Sequence, residues 1–163
     1  MSVTQNKDTG AIEVTTTGRL RAATGAAAEV EYRLTHRFFG DRMTKEWTFV
    51  SPRAQFIRIV EPFVKDPDLT VGQTAPQRVQ LRSGKRGTWT FAIEHSAVDC
   101  GVSCGEDAES YWSPFPGISA YPIVVTLTTT PGQPTVVETS FGADALSTPM
   151  HESGIRRRGS AHD

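Results

Sequence analysis

The sequence predicts an all-β chain, an antiparallel two-sheet β-sandwich of about eight strands. Three observations predict it. Runs rich in Val, Ile, Thr and aromatic residues recur along the chain, separated by clusters of Gly, Pro and Asp. Most of those runs alternate apolar with polar residues, so each offers one side to a core. No convincing amphipathic helical segment accompanies them, and two packed antiparallel sheets are the simplest way to bury so many one-sided strands.

The strongest element is the stretch EVEYRLTHRFFGDRMTKEWTFV, residues 29–50. Gly40-Asp41 lies between Phe39 and Arg42, and Gly at the first central position suits a type II′ turn, whose twist matches its flanking strands. Counting outward from that turn pairs Phe38 with Met43, His36 with Lys45, Leu34 with Trp47 and Tyr32 with Phe49. The other face pairs Arg37 with Thr44, Thr35 with Glu46 and Arg33 with Thr48. A slip of one residue would put the aromatic and aliphatic set into water, so the register is strongly specified.

The remaining elements follow in order. AIEVTTT (11–17) precedes a Gly/Ala-rich connection into the hairpin. AQFIRIVEPF (54–63) is apolar on both faces apart from Arg58 and Glu61, which predicts a central strand with Pro62 at its end, because proline cannot donate to a ladder. DPDLTVGQTAPQ reads as a loop. RVQLRS (78–83) points Val79 and Leu81 inward. TWTFAIEHS (88–96) places Trp89, Phe91, Ile93 and His95 on one face. YPIVVTLTTT (121–130), the turn PGQP and TVVETSF (135–141) read as a closing hairpin. The sandwich is expected to span residues 1–145, with 146–163, which carry three adjacent arginines, as a disordered basic tail.

The totals bound the function classes. A chain of 163 residues is most simply one domain. Its formal charge of −1 gives no reason to expect nucleic acid or an anionic membrane as a partner. No apolar run is long enough to span a bilayer. The opening MSVTQNKDTG lacks the charged start and apolar centre of a signal peptide, which read literally means a cytoplasmic protein, while an opening this polar also fits a domain cut from a longer chain.

Cys100 and Cys104 sit in DCGVSCGED, where Gly101 and Gly105 argue for a loop. Zinc needs four ligands, and no second Cys/His pair at metal spacing is present, so neither a metal nor another cofactor is expected. A disulfide ring closing the loop is the preferred reading, and two reduced thiols the alternative. An oxidised pair would place the protein in an extracellular or periplasmic compartment.

The cysteines lie in a long irregular insertion expected to run from Val98 to Ala120, and loops of this length inside compact domains are usually functional or disordered. It carries Tyr111 and Trp112 close to Glu106, Asp107 and Glu109. An indole or phenol beside carboxylates can stack on the apolar face of a sugar ring while Asp107 and Glu109 accept its hydroxyls. The competing reading is that YWSPFPG plugs an open end of the sandwich. His36 and His95, at strand ends, are candidate acid or base groups near neutral pH, against a capping role with a satisfied hydrogen bond. Lys45, opposite His36, is expected to snorkel to the sheet edge. Glu61 faces the core and must find a donor or shift its pKa, as a salt-bridge partner or as an acid in a cleft. No nucleophile signature or phosphate-cradling glycine loop is present.

YRLTHRFFGDRMTKEWTFV followed by RIVEPFV resembles the strand–Gly-Asp–strand rhythm of the β-sandwich, or supersandwich, domains of carbohydrate-active enzymes. These include the C-terminal sandwiches of heparinase-like polysaccharide lyases and the mutarotase-like domains of glycosidases. The resemblance covers about residues 11–141 and rests on strand rhythm and one turn, with no active-site motif to carry over. In such enzymes the sandwich usually supports a separate helical catalytic domain, so the resemblance implies an accessory domain whose partners are an oligo- or polysaccharide and the rest of a larger enzyme chain. The leading expectation is a glycan-binding or accessory module using Trp112, Tyr111, Glu109 and Asp107, with His36 and His95 on the same rim. The alternatives are a lyase or epimerase moving protons with His36 or His95 and Glu61, and a purely structural or protein-interaction sandwich.

Overall fold

The computed structural model describes residues 1–6, 9–22, 25–64, 67–104 and 120–144. These form eleven strands: β1 (Ser2–Gln5), β2 (Ile12–Arg21), β3 (Ala27–Phe39), β4 (Arg42–Val50), β5 (Phe56–Val64), β6 (Leu69–Ala75), β7 (Arg78–Ser83), β8 (Gly87–Ser96), β9 (Cys100–Cys104), β10 (Ala120–Thr128) and β11 (Thr135–Ala143). An eight-stranded sheet runs β1-β2-β3-β4-β11-β8-β7-β6, and a three-stranded sheet runs β5-β10-β9. The pairings are antiparallel, and the architecture is the expected all-β sandwich. The expected tail lies outside the described residues.

The β3–β4 hairpin has the predicted register, with His36 opposite Lys45, Leu34 opposite Trp47 and Tyr32 opposite Phe49. Gly40 has φ 50° and no residue other than glycine has a positive φ among those described, which fits a II′ turn and excludes I′. All eight expected strands are present. The three unexpected ones, β1, β6 and β9, are all edge strands. β1 and β6 are bonded on one side and mostly exposed, so they need little apolar patterning, whereas β9 turns Cys100, Val102 and Cys104 to the core; β6 and β9 had been expected to be loops.

Two expectations about connectivity are corrected. AQFIRIVEPF does not form a central strand: β5 is an edge of the small sheet, paired with β10 alone. The closing segment is not a hairpin either, since β10 pairs with β5 and β9 whereas β11 pairs with β4 and β8. The turn Pro131–Pro134 therefore carries the chain from one sheet to the other, as the segment between β4 and β5 also does. These two crossovers are bonded to each other. The Gly132 amide donates to the Ser51 carbonyl at 2.7 Å, the Gln55 amide donates to Thr129 Oγ1 at 2.9 Å, and Thr129 Oγ1 donates to the Arg53 carbonyl at 3.2 Å. Ser51, Thr129 and Thr135 are buried there with their polar atoms satisfied.

The core lies between the sheets. Ile57, Ile59, Val102, Ile123, Val125 and Leu127 of the small sheet meet Phe49, Val79, Leu81, Phe91, Ile93 and Val137 of the large one. Val30 on β3 is also buried in this core, with Leu20, Ala28 and Tyr32 packed against it, whereas Val3 and Ile12 on β1 and β2 and Phe38 at the hairpin tip are exposed.

Phe49 is 1% exposed and stacks on Trp47 with centroids 5.7 Å apart. Phe49→Ala is expected to lower unfolding free energy by about 3–5 kcal/mol in equilibrium denaturation. A loss below about 1 kcal/mol, the scale of a surface change, would show that the hairpin face is not part of the core.

Candidate functional site

Three of the residues singled out from the sequence sit around one point between the sheets. His36 on β3 and Lys45 on β4 are cross-strand neighbours on the inner face. Glu61 descends from β5, placed opposite Ile123 in the small sheet. The Lys45 ammonium donates to Glu61 Oε2, forming an ion pair that ties the two sheets together. Lys45 therefore does not snorkel to the sheet edge as expected. Its side chain is 16% exposed and that of Glu61 12%, and in such surroundings each charge holds the other in place. Glu61 takes the salt-bridge role foreseen for it.

The His36 Nε2 atom is buried with no hydrogen-bond partner among the described residues, so the expected satisfied cap is not what forms. Burial lowers its pKa from the usual 6.5, the Lys45 charge lowers it further, and Glu61 opposes both. The imidazole is therefore neutral at pH 7. The ring of Phe38 meets it edge-on at 6.1 Å.

His95 is elsewhere. The β8–β11 ladder has a bulge, pairing Ile93 with Thr139 but His95 with Glu138, so Glu94 is the extra residue. That irregularity turns His95 away from the face of Phe91 and Ile93, where strict alternation placed it, and onto the exposed outer face. His36, His95 and Glu61 thus occupy opposite faces of the large sheet and form neither one proton-transfer group nor one rim. Trp112, Tyr111, Glu109 and Asp107 lie outside the described residues.

The expected disulfide ring is corrected as well. Cys100 and Cys104 are free and stand at the two ends of β9, opposite Leu127 and Ile123. Four steps of extended chain separate their Cα atoms by about 13 Å, whereas a disulfide needs less than about 7 Å. Both share the inward side of β9 with Val102 and pack against the core. Burial raises the pKa of each thiol, partly offset at Cys100 by the Ser96 hydroxyl 2.9 Å from its sulfur.

Sequence reasoning missed a second polar arrangement, on the outer face of the large sheet. Arg37 is held between Glu13 at 3.0 Å and Glu46 at 3.2 Å. Further along, Arg42 bonds Glu94 at 2.6 Å, and Ser140 donates to the same carboxylate. Asp144 accepts from Thr90 at 2.6 Å and from Gln80 at 2.8 Å. Small residues, Ala92, Gly142 and Ala143, line a trough of about 350 Å³ with Arg42, Arg78, Glu94 and Asp144. Its β4 part was readable from the hairpin, but bringing β8 and β7 alongside depends on β11 inserting between them and β4. Among the described residues no group of three or more His, Cys, Asp or Glu side chains is arranged to hold a metal ion.

The family model for the ulvan lyase C-terminal domain matches residues 1–140. The chain belongs to that family. Among solved structures, the heparan sulfate lyase HepC from Pedobacter heparinus superposes with a TM-score of 0.58 over 88% of this chain at 7% identity. The ulvan lyase C-terminal domain described here corresponds to only 21% of that lyase's length. A putative aldose 1-epimerase from Escherichia coli aligns with a TM-score of 0.47 at 8% identity, over 88% of this chain and 68% of its own. No curated protein matches the chain. The resemblance to supersandwich domains of carbohydrate-active enzymes thus holds at the level of family and fold.

Two predictions test the intersheet cluster. Lys45→Met alone leaves Glu61 buried without its cation and is expected to cost about 3–5 kcal/mol, while Lys45→Met combined with Glu61→Leu returns to near wild-type stability. Additive losses in the two single variants and the double would show that the pair is not coupled. For His36, the unfolded chain binds more protons than the folded one below pH 6.5, so wild-type stability should decline as pH falls from there toward the lower folded pKa. Chemical denaturation of wild type and His36→Leu across roughly pH 7 to 5 reads this out. The variant should show a shallower decline, and equal slopes would remove His36 as the cause.

Proposed function

We propose that this chain is a non-catalytic, carbohydrate-associated module of a larger polysaccharide-degrading enzyme, and that it contacts the glycan. The observation that carries the reading is membership of the ulvan lyase C-terminal domain family across residues 1–140. The small share of the heparan sulfate lyase to which it corresponds supports an accessory place in a longer chain. The separation of His95 from His36 and Glu61 weighs against the alternative of a lyase or epimerase built on those residues. Lys45 also occupies the Glu61 carboxylate that such an enzyme would need free. In this reading His36 and Glu61 hold the sandwich together. Trp112 and Tyr111 provide stacking surfaces for sugar, and Asp107 and Glu109 accept its hydroxyls.

Native electrophoresis in gels containing acidic or neutral polysaccharides, with tryptophan fluorescence titration in parallel, tests the glycan contact. Retardation and a saturable signal with at least one polysaccharide class are expected. Trp112→Ala should weaken that binding while keeping the wild-type melting temperature, and unchanged affinity would end the stacking role. No response to any polysaccharide would overturn the reading in favour of a structural or protein-interaction domain.

A further inference from the structure

The outer face of the large sheet carries a polar surface that the core does not require. Strict alternation accounts for polar residues there, but not for their grouping. Across β3, β4, β11, β8 and β7, Phe39, Arg42, Gly142, Thr90 and Gln80 stand in one cross-strand row. Ser140, Ala92 and Arg78 make up the next row beside it. The small residues at Ala92, Gly142 and Ala143 keep the middle low. Gly142 is also constrained: a Cβ there would meet the Arg42 side chain at 3.2 Å and the Asp41 carbonyl at 3.3 Å. The bulge opposite Glu138 and Thr139 presents Glu94 to this surface, where Ser140 and Arg42 fix its carboxylate. Bulges recur where a sheet re-aims a side chain toward a site.

The chemistry of the trough is mixed. Arg42 is matched by Glu94, and Asp144 is oriented by Thr90 and Gln80. These carboxylates keep lone pairs for further hydroxyl donors. Arg78 differs from them. Its guanidinium lines the trough but has no hydrogen bond or ion pair among the described residues. A planar guanidinium with no partner among the described residues, beside hydroxyl-accepting carboxylates, suits a ligand with one anionic group on a ring of hydroxyls. Phe39, 39% exposed at the far end of the first row, adds an apolar face on which a sugar ring can lie.

We propose that this trough is a saccharide-binding site that holds one acidic sugar unit, its carboxylate or sulfate on Arg78 and its hydroxyls on Asp144 and Glu94. The proposal rests on the glycan-binding reading above and places a contact on a surface distinct from the insertion. With Glu94 already paired to Arg42, Arg78 is the one cation of the trough left open among the described residues, so a densely sulfated chain is a poor fit because its further anionic groups would face Asp144 and Glu94.

The test is isothermal titration calorimetry of the whole chain with three probes: an unsulfated oligouronate, its carboxyl-reduced neutral counterpart, and a neutral oligosaccharide bearing a single sulfate. Arg78→Ala is compared with Arg33→Ala, a same-charge control on the same sheet face but outside the trough. Arg78→Ala should weaken binding of the preferred acidic probe about tenfold or more and leave the neutral probe unaffected, while Arg33→Ala changes affinity less than about twofold. Whichever of the carboxylate and sulfate probes shows the Arg78 effect identifies the anionic group. Wild type binding an acidic probe with Arg78→Ala and Arg33→Ala equally unaffected would overturn the trough and leave the glycan reading standing. Absence of binding by wild type to every probe and to the polysaccharide panel would overturn both.

Discussion

The double crossover between the sheets is the constraint on which the rest of this structure depends. The chain crosses from the large sheet to the small one between β4 and β5, and from the small sheet back to the large one between β10 and β11, and these two passages are bonded to each other through Ser51, Gln55, Thr129 and Gly132. Without that corner, β10 and β11 would be free to pair as an ordinary hairpin. With it, β11 enters the large sheet between β4 and β8, joining the amino-terminal and carboxy-terminal strands into one surface. Buried hydroxyls suit this position because they satisfy backbone groups that the ladders leave behind at a corner.

From that arrangement comes a sandwich of unequal layers. Three strands cover part of eight, and the Lys45–Glu61 pair sits where the small sheet's β5 meets the large sheet's β4. Nearby, Phe63 packs on Phe141 with ring centroids 4.8 Å apart, so charge and aromatic contacts join the layers side by side. A buried ion pair contributes less to net stability than its Coulomb energy suggests, but its geometry favours one alignment of the layers over others. Beside it, burial disfavours the charged form of His36 and lowers its pKa, and the Lys45 charge lowers it further.

The same asymmetry shapes what the molecule offers to partners. A large sheet with an open outer face presents rows of side chains at fixed spacing from a rigid support. The chain shares this support with the ulvan lyase C-terminal domain family, whose model matches residues 1–140. Residues that looked alike in the sequence part company here. His36 is drawn into the seam between layers, His95 is turned to the outer face by a bulge, and the cysteines are held apart by the extended strand between them.

The sequence by itself determined the fold class, the eight well-patterned strands and the complete register of the β3–β4 hairpin, because alternation with period two and the chemistry of Gly40-Asp41 are local signals. It also marked Glu61 as a core-facing carboxylate that would need a donor. Tertiary structure alone decided that Lys45 is that donor, since the two residues are brought together by sheet packing and by no spacing along the chain. It likewise decided that β10 and β11 part at a turn that reads locally as a hairpin, and that β1, β6 and β9 become strands. The edge strands β1 and β6 borrow their order from a neighbour's ladder and their own residues carry little pattern, while the alternation of β9 is too short to outweigh the glycines beside its cysteines. The outer trough belongs to the same class: its residues come from β4, β11, β8 and β7, and only the strand order makes them neighbours.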